Sequence, residues 1–529
     1  MQINPVTMEV IRNSLSYSAE EAGIALRNSA YSHNIKERMD HSCALFDPQG
    51  NLLAQAEHIP VHLGSLPWGV KNVIRYLGER DEDWEEGNIV ILNDPYIAGT
   101  HLNDVTLIKP ILVDGKIIGF SANKAHHVDV GGEVPGSISS SANSLSQEGV
   151  IISPVTLIRH GFMDENVLNN FLAGVRNPEI SIGDLRAQIA AVNLGERRLI
   201  EIAAKYGLEL VLSVFKNIIF YGTRRMLQQL QIIPKGIYTG EDCLEDVTGA
   251  NTLTWIRVTL KREEDSLTVD FSGTDPQVET PFNAVLGVTL SATYFAVKSV
   301  VDPEGPMNEG VLTPIKVLAP QGALVNPNRP APVSSGNLET SQRVADTVFK
   351  ALSKALPGKV PAASQGTMNN VNVGGFDPVR NKQWTFYETI GGGSGGRPGS
   401  NGVDGIHVNM TNTMNTPIEA IEQYYPMLFE QYELRHGTGG EGKWRGGCGL
   451  TRAWRLIGPS AEVTVVGERQ KVPPWGLEGG QPGGLGKYSV RKANGSEERI
   501  KSKSTLHLAE GDTLIMNTPG GGGYGKQNE

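Results

Sequence analysis

The sequence predicts an α+β chain: a multidomain mixed α/β protein with hairpins near its start, helices and strands in its middle and a β-rich end. Three observations predict it. Two tight turns in the first 130 residues are each flanked by short β-rich runs. Long segments follow with apolar residues at helical spacing. The last hundred residues are short strands broken by glycine clusters, within a total of 62 glycines.

Asn4 can cap a first helix with Pro5 in its first turn. Ile11, Leu15, Ala19, Ala22 and Leu26 then describe one core-facing stripe. Cys43–Phe46 and Leu52–Ala54 flank Asp47-Pro48-Gln49-Gly50, a type I turn signal, so they form a hairpin. Its leading edge carries Asp40 and His41; its trailing edge leads to Glu57, His58 and His62. A second hairpin joins Val105–Val113 to Lys116–Ala122 through Asp114-Gly115, whose two positions favour positive φ. Leu168–Val175, Ile182–Tyr206 and Leu208–Leu230 read as helices, and the pattern stops at Ile233-Pro234-Lys235-Gly236. Thr252–Leu260 and Ser266–Phe271 read as strands, Leu290–Val300 and Thr340–Ala355 as helices. With 529 residues, roughly three to four domain-sized units fit. The composition shifts suggest residues 1–230, 231–430 and 431–529.

A net charge of −10 argues against a nucleic-acid binder. No apolar run reaches the ~18 residues of a membrane span. Met1-Gln2-Ile3-Asn4-Pro5 leads into a helix and not into an apolar export signal. Cys43, Cys243 and Cys448 are far apart and odd in number, which suggests a reducing, cytoplasmic setting.

Seven of the 11 histidines lie before residue 130. The stretch Asn93–Asp129 holds His101, Asp104, His126, His127 and Asp129 around one turn. Imidazole with carboxylate suits Mn²⁺, Fe²⁺ or Zn²⁺. Pairing outward from Asp114-Gly115 brings both ends of the hairpin together. Ideal register sets Asp104 opposite Ala125 and puts His127 on the Asp104 face. Pro110 implies an edge or a bulge, and one bulged residue would bring His126 there instead. The other reading of this end is a polar strand terminus with solvated histidines. GGGSGGRPGSNGVDG (391–405) satisfies neither a Walker loop nor GxGxxG before a helix. Its glycines fit tight turns or close backbone approach, including approach to a partner.

Six segments in order resemble the hydantoinase B family, which takes in N-methylhydantoinase B and 5-oxoprolinase B subunits and is related to acetone and acetophenone carboxylase subunits. They are IKERMDHSCALFDPQGNLLAQAEHIPVHLGSLP (35–67), NDPYIAGTHLNDV (93–105), AHHVDVGG (125–132), VDFSGTDPQV (269–278), SGNLETSQRVAD (335–346) and TPGGGGYG (518–525). The resemblance implies a hydrolase subunit acting on a small cyclic amide such as a hydantoin, 5-oxoproline or a lactam. It implies a partner A subunit of actin-like fold that binds ATP and phosphorylates the substrate, in an assembly of two A and two B subunits. It implies a divalent metal held by His101, Asp104 and His126, with Asp40 as the best-matching carboxylate and Glu37 as its alternative. Hydrolysis would use a metal-bound water. His127 or His62 would carry protons, with a buried histidine satisfied in the core or behind the ligands as the equal alternative for each. Asp129 would either orient a ligand histidine or shape the turn ahead of Gly131-Gly132. Two competing readings are a ketone carboxylase subunit and a non-catalytic scaffold for the ATPase.

Overall fold

The computed structural model describes residues 3–527 apart from Glu57 and Asp83. Met1, Gln2 and the Glu57 of the first hairpin therefore lie outside the described residues.

A seven-stranded sheet organises the first third. Its strands are β1 (His41–Phe46), β2 (Leu52–Gln55), β3 (Ile89–Leu92), β4 (Asp104–Val113), β5 (Lys116–His126), β6 (Val155–Arg159) and β7 (Phe162–Met163), in the order β2-β1-β5-β4-β3-β6-β7. Helix α1 (Pro5–Ser29) is capped by the Asn4 side chain, which accepts from Val6 N, and the whole expected stripe from Ile11 to Leu26 is buried. After the short α2 (His33–Lys36) and β1–β2 comes α3 (His62–Gly78); α4 (Pro95–Ala98) and α5 (Glu165–Leu172) are short. Helix α6 (Pro178–Tyr206) lies on β4 and β5 and packs against α1, and α7 (Leu208–Gln229) continues that layer.

Both expected hairpins form. Asp114 and Gly115 have φ of 50° and 72°, as the two-residue turn requires. Val113 pairs with Lys116, and a bulge between Ile111 and Leu112 sets Asp104 opposite His126. The extra residue is Ile118, on the strand facing Pro110. Pro110 itself lies beyond Ile108, the last β4 residue paired to β3, so its missing N–H breaks no β3–β4 bond.

The second sheet comprises β8 (Gly236–Glu245), β9 (Leu253–Arg262), β10 (Leu267–Asp270) and β11 (Ile315–Leu318). It carries α8 (Leu286–Val301), α9 (Glu309–Leu312) and α10 (Ser341–Ala355) in the same region, and α8 packs on both α3 and α10. The largest apolar core runs from Ala44 to Val466 through these elements. A third sheet contains β12 (Asn370–Asp377), β13 (Lys382–Glu388), β16 (Ser460–Val466) and β19 (Lys503–Ala509), and α11 (Ile418–Tyr424) precedes the fourth. The fourth contains β14 (Met427–Arg435), β15 (Gly449–Leu456), β17 (Lys487–Arg491), β18 (Glu497–Ile500) and β20 (Thr513–Asn517). These last two sheets share a core from Val371 to Met516.

The glycine-rich segments are not mainly turns, and Gly391–Gly396 is not a surface loop. They lie against one another inside the chain, as in Gly521 N→Gly447 O (2.9 Å), Gly447 N→Ser394 O (2.8 Å), Gly440 N→Gly521 O (2.8 Å) and Gly520 N→Gly484 O (3.0 Å). A Cβ on Gly446 would stand 1.9 Å from Gly521 O, so only glycine permits this approach.

Candidate metal centre

Three local devices bring the candidate ligands together. Gly99 ends α4 with φ of 87°, and Asp104 N then bonds to His101 O (3.1 Å). This turn sets His101 and Asp104 side by side. The β-bulge sets His126 across from Asp104. The first turn of α3 carries His62, whose Nδ1 is 2.9 Å from Ser42 Oγ on β1. Lys124, two residues before His126, donates to Ala98 O (2.8 Å) and Thr100 Oγ1 (2.9 Å), so it ties the His101 turn to β5. Burial lowers its pKa to about 8, with Asp104 opposing.

The result is a tight buried group. His101 Nε2 is 3.2 Å from His126 Nδ1 and 3.3 Å from Asp104 Oδ1. His126 Nδ1 is 3.7 Å from Asp104 Oδ1 and 3.8 Å from Asp40 Oδ2. His62 Nε2 is 3.4 Å from Asp104 Oδ2. A tetrahedral ion with ~2.1 Å bonds spaces its ligands by about 3.4 Å, so the donor set fits a divalent cation. His62 Nε2 and Asp104 Oδ2 are buried facing each other, and the donor atoms of His101, Asp104 and His126 all lie within 4.8 Å of one another, close enough to share a cation. His101 and His126 are 1% and 2% exposed, which removes the reading of solvated histidines at a strand end.

Burial and the neighbouring charges set the ionisation of this group. Burial pushes Asp104 up, but the charges and hydrogen bonds of His101 and His62 outweigh it and hold the carboxyl well below its ordinary range. Burial, then repulsion from His101, holds His126 well below its ordinary value and hence neutral. Burial raises Asp40, with Arg38 opposing.

The remaining expected residues go elsewhere. His127 points to the opposite face of the sheet, as alternation along a strand demands. There its Nε2 is 2.9 Å from Gln188 Oε1 on α6, and its ring is edge-on to Phe171 at 5.4 Å. Asp129 accepts from Gly131 N, Gly136 N, Arg176 N and Arg176 Nη1, so it shapes the turn after β5. His41 and His58 pair with each other at 4.9 Å, away from Asp104. Glu37 caps the end of α2, and Asp40 is the carboxylate of this pair that lines the cavity beside the cluster.

Residues far along the chain complete the surroundings. Tyr387 of β13 stacks flat on His126 (4.8 Å, 5°), and the Arg38 guanidinium lies 4.7 Å from the centre of the same tyrosine ring. Tyr387 Oη donates to Asn370 Oδ1 (3.0 Å), and Asn370 Nδ2 donates to Glu339 Oε1 (2.8 Å). Burial, then Glu468, pushes Glu339 up to about 8. Glu339 belongs to a π-helical turn, Gly336–Thr340, that runs into α10. A cavity of about 20 Å³ opens onto Asp40, Asp104 and His126, walled by Arg38, Asn337 and Thr413. Arg38 donates to Asn34, Thr389 Oγ1 (2.7 Å) and Thr413 Oγ1 (3.3 Å), with no carboxylate in hydrogen-bond contact among the described residues. Tyr387 carried no sequence signal, and although the π-turn lies within the 335–346 segment of the resemblance, helical and strand periodicity say nothing about contacts so distant in the chain. Arg38 stands two residues before Asp40 and could have been weighed with it.

The family described as hydantoinase B/oxoprolinase matches residues 4–527. The chain belongs to that family. It is 48% identical to an uncharacterised Methanocaldococcus jannaschii protein, covering all of this chain and 92% of the relative. It is 34% identical to a protein described as the B component of a D-/L-hydantoinase in Pseudomonas sp. NS671 (100% of this chain, 91% of the relative). It is also 34% identical to the Dictyostelium discoideum 5-oxoprolinase, where it spans all of itself but 41% of that protein. The ATP-dependent caprolactamase of Pseudomonas jessenii superposes with a TM-score of 0.92 at 29% identity, over 99% of this chain and 92% of that one. Acetone carboxylase in its nucleotide-free structure also gives 0.92, at 18% identity, over 99% and 76%; at that identity the likeness is one of fold. No helix of the described residues is long and apolar enough to cross a membrane.

Proposed function

We propose that the chain is the B-type subunit of an ATP-dependent cyclic amidohydrolase, and that it hydrolyses a ring amide whose oxygen a partner A subunit of actin-like ATPase fold has phosphorylated. The observation that carries this reading is the buried cluster of Asp40, His62, His101, Asp104 and His126 beneath a narrow cavity, in a chain of this family. The partner is supported by the absence of a Walker loop and by the 5-oxoprolinase, in which this chain's match takes up 41% of the length. Two A and two B subunits would suit two-fold symmetry. The three free, buried cysteines support a reducing cytoplasm as its compartment.

The chemistry follows from the amide. Nitrogen donates into the carbonyl and makes it a poor electrophile. Phosphorylation of the oxygen ends that donation and turns the oxygen into part of a leaving phosphate. Water then adds at the former carbonyl carbon, and the tetrahedral adduct expels the protonated ring nitrogen, so that the C–N bond breaks and the ring opens. A second water displaces phosphate at the carbon of the resulting acyl phosphate to leave the carboxylate. His101, Asp104, His126 and Asp40 would hold a Mn²⁺, Fe²⁺ or Zn²⁺ ion, which would lower the pKa of water towards neutrality. His62, fixed by Ser42 and aimed at Asp104, takes up and returns the proton. Arg38 presents its cation to the negative charge of the activated substrate, and Thr389 and Thr413 hold its guanidinium in place. His127 and Asp129 act from behind, on the course of the chain after His126.

The test joins the chain to a candidate A subunit and supplies ATP, a hydantoin, 5-oxoproline or caprolactam, and ¹⁸O water. Solvent ¹⁸O is expected in the new carboxylate and the original amide oxygen in phosphate. Bicarbonate carbon in the product would transfer the assignment to a carboxylase. Full turnover after His101→Ala and Asp104→Ala together would make the chain a scaffold.

A further inference from the structure

A second, larger cavity lies one short segment away from the metal cavity. Val408, His407 and Ile406 line it, and Met410 and Thr411 of the same stretch line the cavity at the cluster. Its volume is about 400 Å³, within the range of small-molecule sites. Phe295 of α8 and Phe349 of α10 form an edge-on aromatic pair (6.0 Å) on its wall, and Trp475 adds a third ring. Two cations also line it, Lys359 and Arg397. Neither forms an ion pair among the described residues. Both are exposed in a chain of net charge −10. The one carboxyl among the described lining residues, Asp346, is occupied by Arg469 Nη2 (3.0 Å) and Asn409 Nδ2 (2.8 Å). Burial pushes it up to about 7. Ser364 Oγ also lines the cavity; the residue is 8% exposed and the hydroxyl has no partner among the described residues.

We propose that this cavity is a binding site for a phosphorylated ring compound, its ring against Phe295, Phe349 and Trp475 and its phosphate at Arg397 and Lys359. Ser364 supplies a directional hydrogen bond to the same ligand. Aromatic rings give an apolar face that tolerates different ring sizes, and cations lining the same cavity select the phosphorylated form over the free amide. Identification of the ligand with the activated ring amide rests on the function proposed above; the site itself does not.

Phenyl phosphate, a ring carrying a phosphate, is the probe, and calorimetric titration of the full chain without any A subunit or ATP is the measurement. Saturable binding is expected, with inorganic phosphate and benzamide each at least ten times weaker. Arg397→Ala with Lys359→Ala should weaken phenyl phosphate at least tenfold and leave the melting temperature unchanged, because both side chains are exposed. Trp475→Leu should weaken phenyl phosphate but not phosphate. No binding to the unaltered chain, or binding that survives the double substitution, would overturn the site. The ¹⁸O experiment is independent of this titration, so either assignment can fail without the other.

Discussion

At the ends of β4 and β5, five polar side chains converge on one buried point. At Gly446 and Gly521 two backbones touch because no side chain stands between them. Both regions join distant parts of the chain, by opposite means. The first is specified by what its side chains are, and each can be named from its chemistry. The second is specified by the lack of side chains, and it binds through backbone N–H and C=O groups that every residue but proline possesses. Polar convergence at a buried point is unfavourable until something satisfies it. Glycine packing is satisfied as it stands. The first region is therefore the place to look for a ligand, and the second for what holds the fold.

The largest effect should come from the first region. His101→Ala should abolish metal retention and lower ring-opening activity by more than the ~100-fold that marks the upper cost of losing a residue behind the ligands. His126→Ala should do the same, whereas His127→Ala should keep about one ion per chain. Elemental analysis of the three variants decides. Metal lost from His127→Ala and kept by His126→Ala would contradict the Asp104–His126 register.

How much of this was legible follows the same division. The hairpin ends were readable because Asp114-Gly115 fixes a turn locally and His101, Asp104 and His126 are rare residue types near it. The choice of His126 over His127 rested on a bulge. Sequence offered Pro110 as its sign, and the extra residue is Ile118 on the opposing strand, because a proline past its neighbour's last pairing disturbs nothing. His62 was readable as a polar histidine but not as a neighbour of Asp104, since α3 reaches the site through its packing on α8 and β5. Tyr387, Asn337 and Glu339 arrive from sheets and turns that no local pattern ties to the first hairpins. The glycine segments were visible as composition, yet their mutual contacts were not, because glycine carries no pattern of faces.

The second region sharpens the comparison through stability. Gly521→Ala places a Cβ 2.0 Å from Ser394 O, and backbone cannot yield as a side-chain tip can. A loss of roughly 3 kcal/mol or more is expected, at the upper end of overpacking costs, or no soluble protein. Gly78→Ala is the control: nothing lies within 4 Å of its added Cβ, and it ends α3. It should stabilise by about 0.5–1 kcal/mol through lost backbone entropy. Equal melting temperatures for the two variants would show that the glycine contacts are not tight in solution.

The smallest effect lies where the first region is tied to the π-turn. Glu148 is buried beyond the first hairpins, and its carboxylate accepts from Val333 N (2.9 Å) and Ser334 N (2.8 Å), just before the π-turn that carries Asn337. Burial raises its pKa from 4.5 to about 7, with those N–H groups opposing. Between about 4.5 and 7 the folded chain therefore holds a proton that the unfolded chain has released. The stability linked to this group is complete below its unfolded pKa and is lost as pH rises through about 7. The urea midpoint should thus fall from pH 5 to pH 8, and Glu148→Gln should narrow that fall, because the amide oxygen still accepts a hydrogen bond but no longer titrates. Glu339, Asp346 and Glu468, raised by burial to about 8, 7 and 7, keep part of the slope in the variant. An unchanged slope in Glu148→Gln would mean that Glu148 ionises alike in both states, and that the tie between the hairpin region and the π-turn is wet rather than buried.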